Sequence, residues 1–181
     1  MPLLHLSLDA RTTDQTKKNH RTDNKWVLSL SHTVAEQVIT LKEVFIHTEL
    51  DAQGGAQATI PITSPATQGA TGKTFLLFKL EQGGGNCIAH RQIVSNVKGG
   101  SWFPVPCDYS AGRSQTQHYV GLNQDVILDK EGLPNDLEVE VYSDEDVNFN
   151  TYPTFGTGAD NISRIDLVFE YDNTERASDA N

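Results

Sequence analysis

The sequence predicts an all-β protein built as an antiparallel sandwich. Apolar and polar residues alternate with a period of two in many short segments, and these segments are separated by turns rich in Gly, Pro, Asn and Asp. Successive side chains of a strand point to opposite faces, so this alternation is typical of strands with one buried face. Only residues 33–37 have a helical feature, the capping-box spacing of Thr33 and Glu36, and we expect one turn there at most.

The alternating segments predict eight to ten strands. They are 4–8, 26–30, 38–50, 57–63, 74–81, 88–97, 118–128, 137–141 and 162–171. The segments 118–128 and 162–171 are long enough to run the full height of a sheet, and on the first of them Val120, Leu122, Val126 and Leu128 share a face. The apolar members of these sets predict a core that includes Leu28, Leu41, Ile46, Leu76, Phe78, Leu122, Val126, Val139, Leu167 and Phe169.

The segment 38–50 changes parity partway along. Its apolar set begins with Ile39 and Leu41 and continues with Val44 and Ile46. A strand that buries both pairs needs one extra residue between them, so the pattern predicts a β-bulge near residues 42–43.

The chain is predicted to be a single domain spanning residues 1–181, because it has no internal repeat and no dividing linker. Two polar segments stand apart from the strands. Residues 11–25 are locally basic and form either a solvated loop or an arm that docks on an acidic neighbour. Residues 172–181 form a polar C-terminal tail with almost nothing to bury.

Charge and hydropathy exclude several partners. The net charge is −10 and the pI is about 4.9, which argues against nucleic acid because binding to phosphates depends on clustered Lys and Arg. The longest apolar run in a strand-like region, residues 75–78, is far short of the roughly 20 residues that cross a bilayer. The first residues have neither a basic leader nor a sufficient apolar stretch, so we expect neither membrane insertion nor a secretory signal. Cys87 and Cys107 form no CxxC pair and are expected to be reduced thiols.

No catalytic or cofactor motif is present in the sequence. The stretch 69–74 ends in Gly-Lys-Thr like a phosphate-binding loop, but position 67 is Thr where that loop needs Gly, and an alternating strand follows instead of a helix. The acidic residues 144–146 lack the glycine and closing glutamate of a calcium loop. The six histidines have no metal-ligand spacing: His5, His20, His32, His47, His90 and His118. We therefore expect no enzyme activity, no catalytic residue, no cofactor and no metal.

A group of aromatic residues leaves two interpretations open. Trp102, Phe103, Tyr109, Tyr152 and Phe155 could form a platform on which a sugar stacks, or they could cap the sandwich and fill an interface. For 102–104, burial or an interface is favoured over ligand stacking.

Three stretches resemble the small capsid proteins of large double-stranded DNA viruses. Residues 38–46 (VITLKEVFI) resemble an early strand of that family, 133–146 (LPNDLEVEVYSDED) its penultimate strand and turn, and 162–171 (ISRIDLVFEY) its closing strand. The resemblance covers residues 26–172 in order and spacing. It implies a single jelly roll of two four-stranded sheets, without an active site, that serves as a penton or related minor capsid subunit beside a larger major capsid protein.

Two functions of different classes follow from this sequence. The first is a penton subunit, a homopentamer at the fivefold vertices of an icosahedral virion, in contact with major and minor capsid proteins. The second is a non-catalytic β-sandwich module that binds carbohydrate or a receptor, because the same fold hosts both. A shell subunit needs extended lateral contacts, whereas a binding module needs one concave aromatic site.

Overall fold

The structure, a computed structural model, describes residues 2–30, 38–48, 73–82, 86–87, 102–108, 116–127, 136–143, 155–156 and 162–171. The regular structure in these ranges is entirely β. The strands are β1 (Leu3–Asp9), β2 (His20–Thr22), β3 (Lys25–Ser29), β4 (Val38–Thr48), β5 (Lys73–Gln82), β6 (Asn86–Cys87), β7 (Trp102–Asp108), β8 (Thr116–Tyr119), β9 (Gln124–Ile127), β10 (Asp136–Ser143) and β11 (Ile162–Tyr171).

These strands form two antiparallel sheets. The five-stranded sheet has the order β1-β11-β4-β8, with β9 also paired to β4. The six-stranded sheet has the order β2-β3-β10-β5-β6, with β7 also paired to β5. The predicted all-β antiparallel sandwich is therefore confirmed.

The strand order is compatible with the predicted jelly roll. Strands β6 and β7 lie along one side of β5, and β8 and β9 lie along one side of β4. Taking each of these two pairs as one position leaves four positions in the five-stranded sheet and five in the other, where β2 pairs with β3 as an additional edge strand. The first strand then lies beside the last, and most connections cross from one sheet to the other, as in Greek-key sandwiches.

The core lies between the sheets and receives large side chains from both. Phe103 of the six-stranded sheet packs edge-on against Phe169 of the other at a centroid distance of 6.0 Å, and Trp26 packs on Phe155 at 4.8 Å. Seven of the predicted core residues are fully buried: Leu41, Ile46, Leu76, Phe78, Val139, Leu167 and Phe169. Leu28 and Leu122 are only partly buried against this core, and the side chain of Val126 lies outside the described part.

The predicted bulge is present at Lys42. Along the pairing of β4 with β11, Val168 lies opposite Glu43 and Phe169 lies opposite Leu41, so Lys42 is the additional residue. The shift places the apolar residues on both sides of the bulge in the core, because the parity of the strand changes at this point.

The prediction of one continuous strand over 118–128 is wrong. Between β8 and β9, residues 120–123 form no strand pairing with β4. Val120 is 63% exposed instead of facing the core. Gly121 and Asn123 have left-handed φ values of 67° and 45°, a conformation that glycine and asparagine adopt more readily than other residues. A period-two pattern cannot reveal such a turn when the apolar residues of the turn, here Val120 and Leu122, continue the alternation of the flanking strands. The helical turn predicted at 33–37 and the strands predicted at 57–63 and 88–97 lie outside the described residues.

The core position of Phe169 generates the first prediction. Truncation of Phe169 to Ala removes a fully buried ring that contacts the opposite sheet, and it is expected to lower the free energy of unfolding by about 3–5 kcal/mol. Urea denaturation at neutral pH measures this loss. Phe169→Leu retains much of the apolar volume and should cost clearly less; equal stability of all three proteins would show that Phe169 is not central to the core.

Candidate functional site

The outer face of the five-stranded sheet carries a connected polar network. On each strand, the residues that alternate with the core residues lie on this face, and three histidines, His5, His47 and His118, are among them. These histidines come from β1, β4 and β8, so the sheet brings together residues that are far apart in sequence.

Asp166, in the middle of β11, is the centre of this network. Its side chain is only 7% exposed, although it lies on the face opposite the core. Its Oδ2 is 2.9 Å from Nε2 of His47 and 2.8 Å from Nε of Arg164, and its Oδ1 is 3.3 Å from Nε2 of His5. Asp166 also accepts a hydrogen bond from Ser7. One carboxylate therefore links β11 to both of its neighbours, β1 and β4.

The surroundings of Asp166 keep it ionised. Burial alone would raise the pKa of this carboxyl group, because it removes water from the charged form. The hydrogen bonds from Ser7 and His47 and the positive charge of Arg164 favour the carboxylate more strongly, and together they lower the pKa below its usual value. Such a group is an acceptor only, and each neighbouring nitrogen or hydroxyl can donate to it.

His47 connects Asp166 to Thr116 in an arrangement that resembles a catalytic relay. Its Nε2 lies 2.9 Å from Asp166 and its Nδ1 lies 2.9 Å from Oγ1 of Thr116. Since Asp166 is ionised, we assign the proton to Nε2, and Nδ1 then accepts a hydrogen bond from the hydroxyl of Thr116. However, Nη2 of Arg164 is 3.1 Å from the same Nε2. Nη2 is a donor only, so with the proton on Nε2 this approach is a close contact and not a hydrogen bond. Through Asp166, His47 and Thr116 the network joins β11, β4 and β8.

A second group of contacts surrounds the bulge. The Nζ atom of Lys42 is 3.1 Å from Glu170 and 2.8 Å from Oδ1 of Asn123. The bulged residue thus joins β11 to the turn 120–123. Nearby, the rings of Phe45 and His118 stack at 4.0 Å, and His118 lies 3.0 Å from Glu43. These contacts stabilise the end of β8 and the turn that follows it.

The two edges of this sheet differ in form. In the described part of the chain, β1 has a strand on one side only, and its pairing with β11 continues from Leu3↔Glu170 to Asp9↔Arg164 without a shift. The opposite edge is formed by β8 and β9 and is interrupted at 120–123. Leu3 on the first edge and Val120 on the second are both 63% exposed, and they are the large hydrophobic residues that the described structure leaves in water.

The sequence could not reveal this network. The contacts of Asp166 with His47 and Ser7 join residues more than a hundred positions apart, and a single Asp in an alternating strand resembles any other outward residue. Within the described ranges, no group of three or more His, Cys, Asp and Glu side chains could hold a metal ion. Residues 144–146 lie outside those ranges.

Of the aromatic residues that could form a platform or fill the core, those whose side chains the structure describes lie in the core. Phe103 and Phe155 are buried in the core. The side chains of Trp102, Tyr109 and Tyr152 lie outside the described part. In the basic segment 11–25, residues 20–22 form the edge strand β2, and the guanidinium of Arg21 lies 6.0 Å from the ring centroid of Trp26.

The two cysteines lie at separate places along β5. Cys87 pairs with Glu81, whereas Cys107 pairs with Thr74. Seven residues of strand correspond to about 23 Å, and Cα atoms more than about 7 Å apart cannot be bridged by a disulfide. A disulfide between Cys87 and Cys107 of one chain is therefore incompatible with this sheet.

Comparison with known proteins finds no counterpart: no protein-family model, no curated protein and no solved structure matches the chain. The described residues contain no helix that is long and apolar enough to cross a membrane. The class established by the structure is thus an all-β antiparallel sandwich of two sheets.

The lowered pKa of Asp166 predicts a specific dependence of stability on pH. The pKa of Asp166 is lower in the folded than in the unfolded protein, where it is 3.8. Ionised Asp166 therefore stabilises the fold at pH values above 3.8. This contribution is lost as the pH falls through the lower, folded-state pKa. Asp166→Asn should lower the free energy of unfolding at pH 7 by about 1–3 kcal/mol, and the difference from wild type should shrink below about pH 4.

Urea denaturation of both proteins between pH 7 and pH 3 measures this effect. Because the quantity followed is the difference between them, it cancels most of the titration of the other carboxylates. A difference that stays constant across the acid range would contradict the role assigned to the charge of Asp166.

Proposed function

We propose that this protein is a structural shell subunit, the penton subunit at the fivefold vertices of an icosahedral double-stranded DNA virus. The observation that carries the proposal is the order of strands in the two sheets, which is compatible with a jelly roll. Viral capsid proteins are among the main users of that architecture. The resemblance of 38–46, 133–146 and 162–171 to small capsid proteins supports the same function.

The edges of the sandwich support assembly into a ring. A ring forms when each copy presents two different surfaces and the contact between them repeats around an axis. The five-stranded sheet ends in a continuous strand on one flank and in an interrupted pair of strands on the other. These unlike flanks suit a contact between two different surfaces of neighbouring copies.

The charge and the polar network fit a structural role in a virion. A net charge of −10 favours protein neighbours over the genome, so the partners proposed are other copies of the chain, the major capsid protein and minor capsid proteins. Asp166 joins three strands of the five-stranded sheet, including the edge strand β1. A rigid edge lowers the entropy cost of ordering when subunits associate.

The alternative, a carbohydrate- or receptor-binding module, receives less support from the placed residues. It requires exposed aromatic side chains around a concave site. Of the five aromatic residues that could form such a platform, the structure describes the side chains of Phe103 and Phe155, and both are in the core.

Measurement of particle mass tests the proposal. Native mass spectrometry of the purified protein over a range of concentrations should show a species of five times the 19.9 kDa chain mass. A glycan array run on the same preparation tests the alternative function. A protein that remains monomeric throughout, or a monomer that binds a specific glycan, would contradict the vertex function.

A further inference from the structure

We propose that copies of this chain join edge to edge, with β1 of one copy docked antiparallel to β8 of the next and Leu3 opposite Val120. The inference rests on the proposed function, because a ring requires one contact between two different edges of the same subunit. It goes beyond that function by naming the strands and the register of the contact.

Strand β1 offers backbone groups for such a contact. Ala10 N donates to Ser163 O at 2.8 Å, and Tyr171 N donates to Pro2 O at 3.3 Å. In an antiparallel pair the bonded residues alternate, so the even residues of β1 bond to β11. The odd residues Leu3, His5 and Ser7 direct their N–H and C=O groups to the other edge, beside which the described part of the chain places no strand. At Asp9, the next odd residue, the C=O accepts from Thr12 and Trp26.

Within its own seven residues, strand β1 lacks several of the devices that normally protect an edge. Exposed edge strands are usually blocked by Lys, Pro, a bulge or very short length. The seven residues Leu3–Asp9 contain no Lys, Arg or Pro and pair with β11 without a bulge. By contrast, β2, at the edge of the other sheet, has three residues.

Strand β8 presents matching groups on the opposite edge. The same alternation, carried across β11 and β4, bonds Gln117 and Tyr119 to β4. The backbone groups of Thr116 and His118 then point away from β4. Because β1 and β4 run in the same direction and β8 runs against both, β1 of a neighbouring copy would meet β8 in the antiparallel sense.

The exposed hydrophobic residues determine the register. Placing Leu3 opposite Val120 puts His5 opposite His118 and Ser7 opposite Thr116. In this register the edge-directed residues His5 and Ser7 of β1 meet the edge-directed residues His118 and Thr116 of β8, and Leu3 meets Val120, the first residue after β8. All six side chains are on the outer face of the sheet. Opposite residues of an antiparallel pair have Cβ atoms about 4.5–5.5 Å apart, so the two apolar side chains, each 63% exposed on its own, would cover each other.

The charge of the chain favours this contact over others. Two copies with a net charge of −10 repel each other. None of the six residues that the register brings together is Asp, Glu, Lys or Arg. A single contact of this size is weak, and ring closure strengthens it because each copy is then held at both edges.

Opposite charges at the two positions test the contact. Leu3→Lys and Val120→Glu each place a charge against an apolar side chain. Each substitution is expected to raise the protein concentration at which rings form by at least tenfold. The double variant places Lys opposite Glu and should recover most of this loss. Asp136→Asn, at an exposed site on β10, changes the net charge by the same amount as Leu3→Lys and should assemble like wild type. Both test sites are exposed, so circular dichroism and melting temperature should stay unchanged.

Cysteines at the same positions count the copies. In the variant Leu3→Cys/Val120→Cys, mild oxidation should link each copy to the next and give a ladder on non-reducing gels that stops at five chains. Neither single-cysteine variant should give this ladder, although both retain Cys87 and Cys107.

The possible results separate this inference from the proposed function. Rings that persist in Leu3→Lys and Val120→Glu would overturn the edge contact and leave the shell function standing. A ladder that closes at another number, or continues without a limit, would support the edge contact and contradict the fivefold vertex. Wild-type protein that stays monomeric and gives no cross-linked product would overturn both.

Discussion

The position of β11 between β1 and β4 is the constraint on which the five-stranded sheet depends. One face of this strand places Ile165, Leu167 and Phe169 in the core, and the other carries Asp166. The apolar face binds the sheet to its partner layer through burial, which contributes about 25 cal/mol per Å² of apolar surface. The polar face binds the strands to one another through a carboxylate that is nearly inaccessible to water. Among the described strands, β11 is the one that pairs with β1.

The sequence was sufficient to predict the class of fold and much of the core because both follow from local periodicity. Alternation identified the β10 and β11 segments, and a change of parity located the bulge at Lys42. The same rule failed at 120–123, where Gly121 and Asn123 adopt left-handed φ values while the apolar residues keep their spacing. The Asp166 network was not predictable, since its members belong to four strands and only the register of the sheet brings them together.

The two faces of the five-stranded sheet serve different ends. The inner face stabilises the fold by burying apolar side chains. The outer face stabilises it through the contacts of Asp166 and also holds the edge strand, because His5 and Ser7 of β1 both contact Asp166. An edge strand that is held in this way loses little entropy on pairing with another strand. The bulge and the turn after β8 shape the other edge, with Lys42 bonded to Asn123.

The most direct test of assembly as the function of this fold is a cryo-electron microscopy map of the wild-type particle formed at high concentration. The account predicts a closed ring with fivefold symmetry, in which β1 of each copy continues the sheet of its neighbour beside β8. A map of separate monomers, or a ring whose subunits meet through other surfaces, would contradict it.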